Sequence, residues 1–300
     1  MVVQAFFYDA GGHDSVVELD KKTLSKISDQ QLVWIDLLRG DKQALEETSL
    51  LLGLSPEAMR AVDAEKPATV PESFEDHFNF SLVVAPDTSG KSGRVDYLVA
   101  DKWLLTVRER DVAYFEAFRE QDRGESLSGR LTPAALVASL LDWHLEEYQA
   151  EIVAIQKRVD QIDSEILGER EQRPPLSKLA KLRSAVADLR KILSNHRLVI
   201  HGLLRADFSH IADQPHAEYF VALERHFDRT EDRLDQAREM IVGSFELYAT
   251  RTAQDTNELV RAFSAPTDSV RDSLRGEFVI HPAGWDVEAS MDGTSSFAGF

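Results

Sequence analysis

The chain of 300 residues contains no cysteine. That excludes disulfides, thiol nucleophiles and thiolate metal sites. It has no run of about eighteen apolar residues, the length a membrane-spanning helix requires. Residues 1–9 carry neither a basic stretch nor a small-residue cleavage site, so they do not read as a secretory signal. The chain as written is expected to be soluble and cytoplasmic. Basic residues are few beside acidic ones: 34 Lys and Arg against 52 Asp and Glu leave a formal charge of −18. Such a surface repels nucleic-acid phosphates, so no nucleic-acid partner is expected. A P-loop, a G-x-G-x-x-G and an H-E-x-x-H are all missing. Residues 124–129, with serine between glycines, lack the spacing of a hydrolase elbow. With no nucleophile–base set and no fingerprint of an organic cofactor, the sequence does not read as an enzyme.

What is there falls into three zones. Residues 1–125 mix short apolar runs with helical stretches. Val33-Trp34-Ile35-Asp36-Leu37 and Phe78-Asn79-Phe80-Ser81-Leu82-Val83-Val84 read as buried strands. Asp96-Tyr97-Leu98-Val99 and Trp103-Leu104-Leu105-Thr106-Val107 read as two more, joined by a turn at Ala100-Asp101-Lys102. Residues 42–52 predict a helix closed by Gly53, and Ser55-Pro56 opens another with an N-cap and a proline at its first position. Interleaved strands and helices predict a mixed α/β layer.

Residues 126–263 are of a different kind. Thr132-Pro133 is again a cap followed by proline. Ala134, Ala138, Leu141, Leu145, Tyr148, Ile152, Ile155, Val159, Ile162 and Ile166 then recur at alternating steps of four and three. That is a heptad seam. A second runs through Leu179, Leu182, Val186, Leu189, Leu193, His196, Ile200 and Leu203. A third takes Phe220, Leu223, Phe227, Thr230, Leu234, Ala237, Ile241, Ser244 and Tyr248, and turns polar at Arg251 and Asp255. At about 1.5 Å per residue the first helix is about 50 Å long and the third nearer 70 Å. Helices of that length must pack on each other or on partner subunits. Residues 264–300, rich in Gly, Ser, Asp and Pro, read as a disordered tail. The fold class is thus α+β: an N-terminal α/β/α domain with a mixed sheet, then long coiled-coil-like helices.

Candidate chemistry concentrates on the third helix. Glu224, Asp228 and Asp232 follow at i,i+4 steps and stack on one face, where like charges repel by a few tenths of a kcal/mol per pair. A hard cation with oxygen ligands would relieve that repulsion. The competing reading is a solvated face balanced by Arg225, Arg229, Arg233 and Arg238. His226 lies between Glu224 and Asp228 in sequence and is a further candidate ligand, with His77 beside Glu75-Asp76 a weaker one. Glu146, Glu147, Glu151, Asp160, Asp163 and Glu165 on the first long helix read as a solvated outer face.

The order of these parts resembles the cytoplasmic portion of the CorA-like divalent-cation transporters, which include the zinc-transporting ZntB branch. The resemblance rests on Leu32-Val33-Trp34-Ile35-Asp36-Leu37, on Lys66-Pro67 followed by Phe74-Glu75-Asp76-His77-Phe78, and on Trp103-Leu104-Leu105-Thr106-Val107. Leu140-Leu141-Asp142-Trp143, Leu189-Arg190-Lys191-Ile192-Leu193 and Asn257-Glu258-Leu259-Val260 extend it along the helices. It implies a funnel-like homo-oligomer, a pentamer in the intact family, with Mg²⁺ or Zn²⁺ as the bound cation and no organic cofactor. It also implies a regulatory metal site pairing an acidic residue of the last long helix with one beyond a strand of the neighbouring subunit. The loop position falls at Asp87 and the helix position at Ala222, so one carboxylate is present and one absent. The family's Gly-Met-Asn loop does not occur, and Pro266 interrupts the last helix pattern. The expectation is a chain without the two membrane helices, meeting the membrane only through segments it does not contain.

Two functions of different class follow. One is a cytosolic cation-sensing domain of a CorA-like transporter, on the cytoplasmic side of the cell membrane. The other is a soluble helical interaction scaffold that keeps the fold without transport or metal dependence.

Overall fold

A computed structural model describes residues 4–9, 15–25, 27–28, 31–65, 68, 70–86, 91–121, 132–168, 176–212 and 217–264. The strands are β1 (Gln4–Asp9), β2 (Ser15–Glu18), β3 (Gln31–Leu38), β4 (Glu72–Ser73), β5 (His77–Val84), β6 (Gly93–Ala100) and β7 (Trp103–Arg108). They form one sheet of order β2-β1-β3-β7-β6-β5-β4, in which β3 and β7 are parallel and all other neighbours antiparallel. The four strands read from the sequence are β3, β5, β6 and β7; β1, β2 and β4 add to them.

The strands are apolar at successive positions because both faces of the sheet are covered. On β3, Leu32 and Trp34 point into one core, while Val33, Ile35 and Leu37 point into the other. The second core takes Ala44 and Leu45 of α2 (Lys42–Leu52) and Val62 of α3 (Pro56–Asp63). The span of α2 with its close at Gly53 and the start of α3 at Ser55-Pro56 are as their sequence predicts. Asp41 caps α2 and Ser55 caps α3, each accepting a backbone N–H. Gly53 ends α2 at φ 69°, a left-handed conformation that costs glycine little. The short α1 (Lys21–Ser25) precedes β3.

The C-terminal turn of α3 is held by two arginines. Arg94 on β6 donates to Ala61 O at 2.9 Å and Ala64 O at 2.5 Å, and Arg39 donates to Val62 O. Cations suit this end of a helix, where carbonyls lack partners. Asp96 balances both guanidiniums and also accepts from Ser81 at 2.5 Å. Burial pushes the Asp96 carboxyl above the usual carboxylate range, against the opposing field of Arg94. A second polar knot closes the C-terminal ends of β3 and β7. Asp36 takes Arg108 at 3.0 Å and Thr106 at 2.8 Å, and Trp34 Nε1 donates to Thr106 Oγ1 at 3.0 Å. Arg119 of α4 (Ala113–Gln121) lies over the rings of Phe6 and Trp34.

The first core continues without a break from the sheet into α5 (Pro133–Leu167), α6 (Leu176–Leu203) and α8 (Ala217–Ser264), with the short α7 (Ser209–Ala212) between the last two. Every residue of the first two heptad seams is buried, as is the third from Phe220 to Ser244. Thr132 caps α5 ahead of Pro133. The chain divides into a unit of residues 1–251 and a second of residues 252–300. In the second unit, every side chain from 252 to 263 is exposed. That is where the seam turns polar. The expected boundary near residue 125, the tail beyond Ser264, and Lys66 and Pro67 lie outside the described residues.

Candidate functional site

The three heptad seams set the register in which charged flanks meet. α6 and α8 run antiparallel, so Arg190 faces Asp235 at 3.2 Å and His201 faces Glu224 at 3.6 Å. Between them Arg197 bonds Glu231 and stands 3.9 Å from Asp228. The result is an open cavity of about 500 Å³ lined by Arg190, Arg197, Asp228, Glu231, Asp232 and Asp235, with Leu193 and Leu234 at its floor. Two guanidiniums stand against four carboxylates. Asp228 and Asp232 therefore share this groove, while Glu224 lies further along α8 and meets the imidazole of His201.

His226 sits on the other flank of α8, against α5, and is buried. Its Nδ1 is 2.5 Å from Asp142 and its Nε2 3.6 Å from Glu146. Asp142 and Glu146 are one turn apart on α5, which places one carboxylate at each side of the ring. The zipper continues with Gln149, which donates to Thr230 at 2.9 Å and accepts from Arg233 at 2.6 Å. The small Thr230 of the third seam thus serves a buried polar contact between α5 and α8.

Asp87 lies outside the described residues. The strand end just before it does not. Val84, Ala85 and Pro86 line a second cavity, of about 320 Å³, with Arg110, Asp111, Glu147 and Glu151. Arg110 donates to Ala85 O at 2.7 Å. Burial raises Glu147 above the usual carboxylate range, while a backbone N–H from Tyr114 and the charge of Arg110 act the other way. Glu147 is half-buried, which departs from the solvated face its position suggests. This group was not visible in the sequence: it gathers β5, the segment after β7, and α5, and only the contacts of α4 and α5 bring those segments together.

His77 stacks on Phe74 with centroids 4.7 Å apart and points Nδ1 at Asp76, 2.6 Å away. Among the described residues no group of three or more His, Asp or Glu side chains is placed to hold a metal ion. On α8, Asp228, Glu231 and Asp235 face arginines of α6 instead. Within one protomer the described donors do not fit a resident cation.

The fold places the chain in a class. The full-length CmaX protein superposes with a TM-score of 0.75 at 17% identity, covering 94% of this chain and 88% of that one. The cytoplasmic domain of ZntB from Vibrio parahaemolyticus superposes with a TM-score of 0.63 at 11% identity, covering 85% of this chain and all of that domain. The architecture is thus the one seen in a ZntB cytoplasmic domain, a mixed sheet continued by long helices. The sequence then gives the family. The model of the CorA-like Mg²⁺ transporter protein matches residues 29–267, and the chain belongs to that family, whose members are transporters rather than enzymes. The cobalt/magnesium transport protein CorA of Thermotoga maritima is 22% identical over 175 residues, 58% of this chain and 49% of that protein. The chain spans about half the length of this relative. Among the described residues no helix is long and apolar enough to cross a membrane.

Proposed function

We propose that this chain is a cytosolic regulatory domain of a CorA-like divalent-cation transport system, assembling as a homo-oligomer and responding to Mg²⁺ or Zn²⁺. The observation that carries the reading is the span of the family match, residues 29–267, which takes in the described sheet from β3 on and all three long helices. The domain acts by assembly and not by chemistry on a substrate, and it works at the cytoplasmic face of the cell membrane.

The charge supports a response to cations. A chain of formal charge −18 repels its own copies, and that repulsion reaches over a screening length of about 8 Å at physiological salt. A divalent ion offsets it more effectively than the same ionic strength of a monovalent salt. The response is therefore a property of surfaces that meet between protomers. The groove of Asp228 and Asp232 and the carboxylates Glu147 and Glu151 are the acidic surfaces on offer. Calorimetric titration of chelator-stripped protein with MgCl₂ and ZnCl₂, against NaCl of equal ionic strength, tests this. Saturable heat from one divalent ion alone is the expected result. Equal, unsaturable heats from all three salts would contradict it and favour the interaction scaffold without metal dependence.

A further inference from the structure

The core between α5, α6 and the sheet edge holds a polar junction that the transport reading does not use. His144 of α5 and His196 of α6 lie with ring centroids 5.0 Å apart, and both are buried. Among the described residues neither ring nitrogen of His144 has a hydrogen-bond partner, nor has Nδ1 of His196. His196 Nε2 accepts the backbone N–H of Val83 on β5 at 3.1 Å. The carbonyl of the same residue accepts from Tyr148 Oη of α5 at 2.7 Å. β4 pairs with β5 at Phe78 and Asn79, and among the described residues no strand pairs with the outer edge of β5 at Val83. Two helices thus hold the N–H and the C=O of this one residue, both on the edge of β5 away from β6.

The groups facing the two imidazoles are rings. Tyr148 lies 5.1 Å from His144 and 5.5 Å from His196, and Tyr114 of α4 lies 5.5 Å from His144. Tyr114 in turn shares a hydrogen bond of 2.7 Å with Tyr97 of β6. Burial raises the hydroxyl pKa of Tyr97, Tyr114 and Tyr148. The charges of Glu147 and Arg110 act on Tyr148 with opposite sign. Among the described residues neither histidine forms an ion pair; at His196 burial and the neighbouring His144 disfavour the imidazolium and outweigh the backbone of Val83, which favours it.

We propose that His144 and His196 form an acid-released latch, which holds α5 and α6 on the open edge of β5 when both rings are neutral and lets go when either is protonated. The chemistry is direct. An imidazolium at His196 has a proton on Nε2 and cannot accept the N–H of Val83. An imidazolium at His144 has two N–H groups and, among the described residues, no acceptor for either. Burial holds His144 down to about 3 and His196 well below its ordinary value, each against 6.5 for a free imidazole. The opened form therefore binds protons that the closed form refuses. The stability of the latch is complete above about pH 6.5 and is lost as the pH falls below it. The proposal stands independently of the cation reading.

Hydrogen exchange read by mass spectrometry on the whole chain from pH 7.5 to 5.0, corrected for intrinsic rates, tests it. Protection in peptides covering β5 and the last three turns of α6 is expected to fall about tenfold per pH unit below 6.5 for each histidine that protonates on opening. β3 and β7, buried in the centre of the sheet, are expected to keep their protection over the same range. His144→Phe, which keeps an aromatic ring among the rings, is expected to halve the logarithmic slope. His144→Phe with His196→Gln, which keeps an acceptor for Val83, is expected to abolish it. Protection independent of pH, a parallel loss in β3 and β7, or an unchanged slope in the variants would each overturn the latch. The contrast between β5 and β3 in the unsubstituted protein decides the matter even if the double variant does not fold.

Discussion

At the scale of single residues, the contacts that hold the sheet and its helices in place include buried polar groups in apolar surroundings. Asp96 is the clearest: it is the counter-ion of Arg94 and Arg39, whose other donors hold the end of α3. Removing one partner of a buried ionic network leaves the others uncompensated. Asp96→Ala is therefore expected to cost about 3–5 kcal/mol, measured as a lower urea midpoint with an unchanged slope. Because the Asp96 carboxyl is raised by burial, the folded state binds its proton more tightly than the unfolded chain does. Its contribution to stability therefore declines as pH rises through that window, opposite in sign to the effect of His144 and His196. None of this was legible in the sequence. Asp96 read as the first position of a strand and Arg94 was not assigned, and the carbonyls that Arg94 serves lie some thirty residues away. Likewise Glu224, Asp228 and Asp232 read as one acidic face, but which of them meets Arg197 or His201 depends on the register of α6 against α8.

At the scale of elements, the sequence was far more telling. The seams of α5 and α6 and most of that of α8 are legible because a period of 3.5 places each apolar residue on one side, and all are buried. The caps at Ser55 and Thr132 are legible because each satisfies donors the helix itself leaves open; the cap at Asp41 was not read. β1, β2 and β4 were not read: β2 and β4 are only four and two residues long, and the three are placed by pairing, β1 on β3, β2 on β1 and β4 on β5. Two glycines separate packing from backbone effects. A Cβ on Gly202 would stand 2.4 Å from Pro71 Cδ, where α6 meets the chain before β4. A Cβ on Gly243, in the middle of α8, meets nothing within 4 Å. Gly202→Ala is expected to destabilise by about 1–3 kcal/mol. Gly243→Ala is expected to stabilise by about 0.5–1 kcal/mol. Thermal melts of the two variants would show shifts of opposite sign.

At the scale of the whole molecule, the family membership and the acidity bear on the same question. A continuous core joins the sheet to three helices, and the flanks of those helices carry an excess of carboxylates. Leu259, Val260 and Phe263 of the second unit are exposed apolar side chains on consecutive turns of a helix. These features fit a chain that meets copies of itself and whose meeting is opposed by charge. The most direct measurement is multi-angle light scattering after size exclusion, on chelator-stripped protein and again with Mg²⁺ or Zn²⁺ added. A discrete, heavier species that forms with one of these cations and reverts with chelator is the predicted result; a mass that stays the same with and without either cation would contradict the regulatory role.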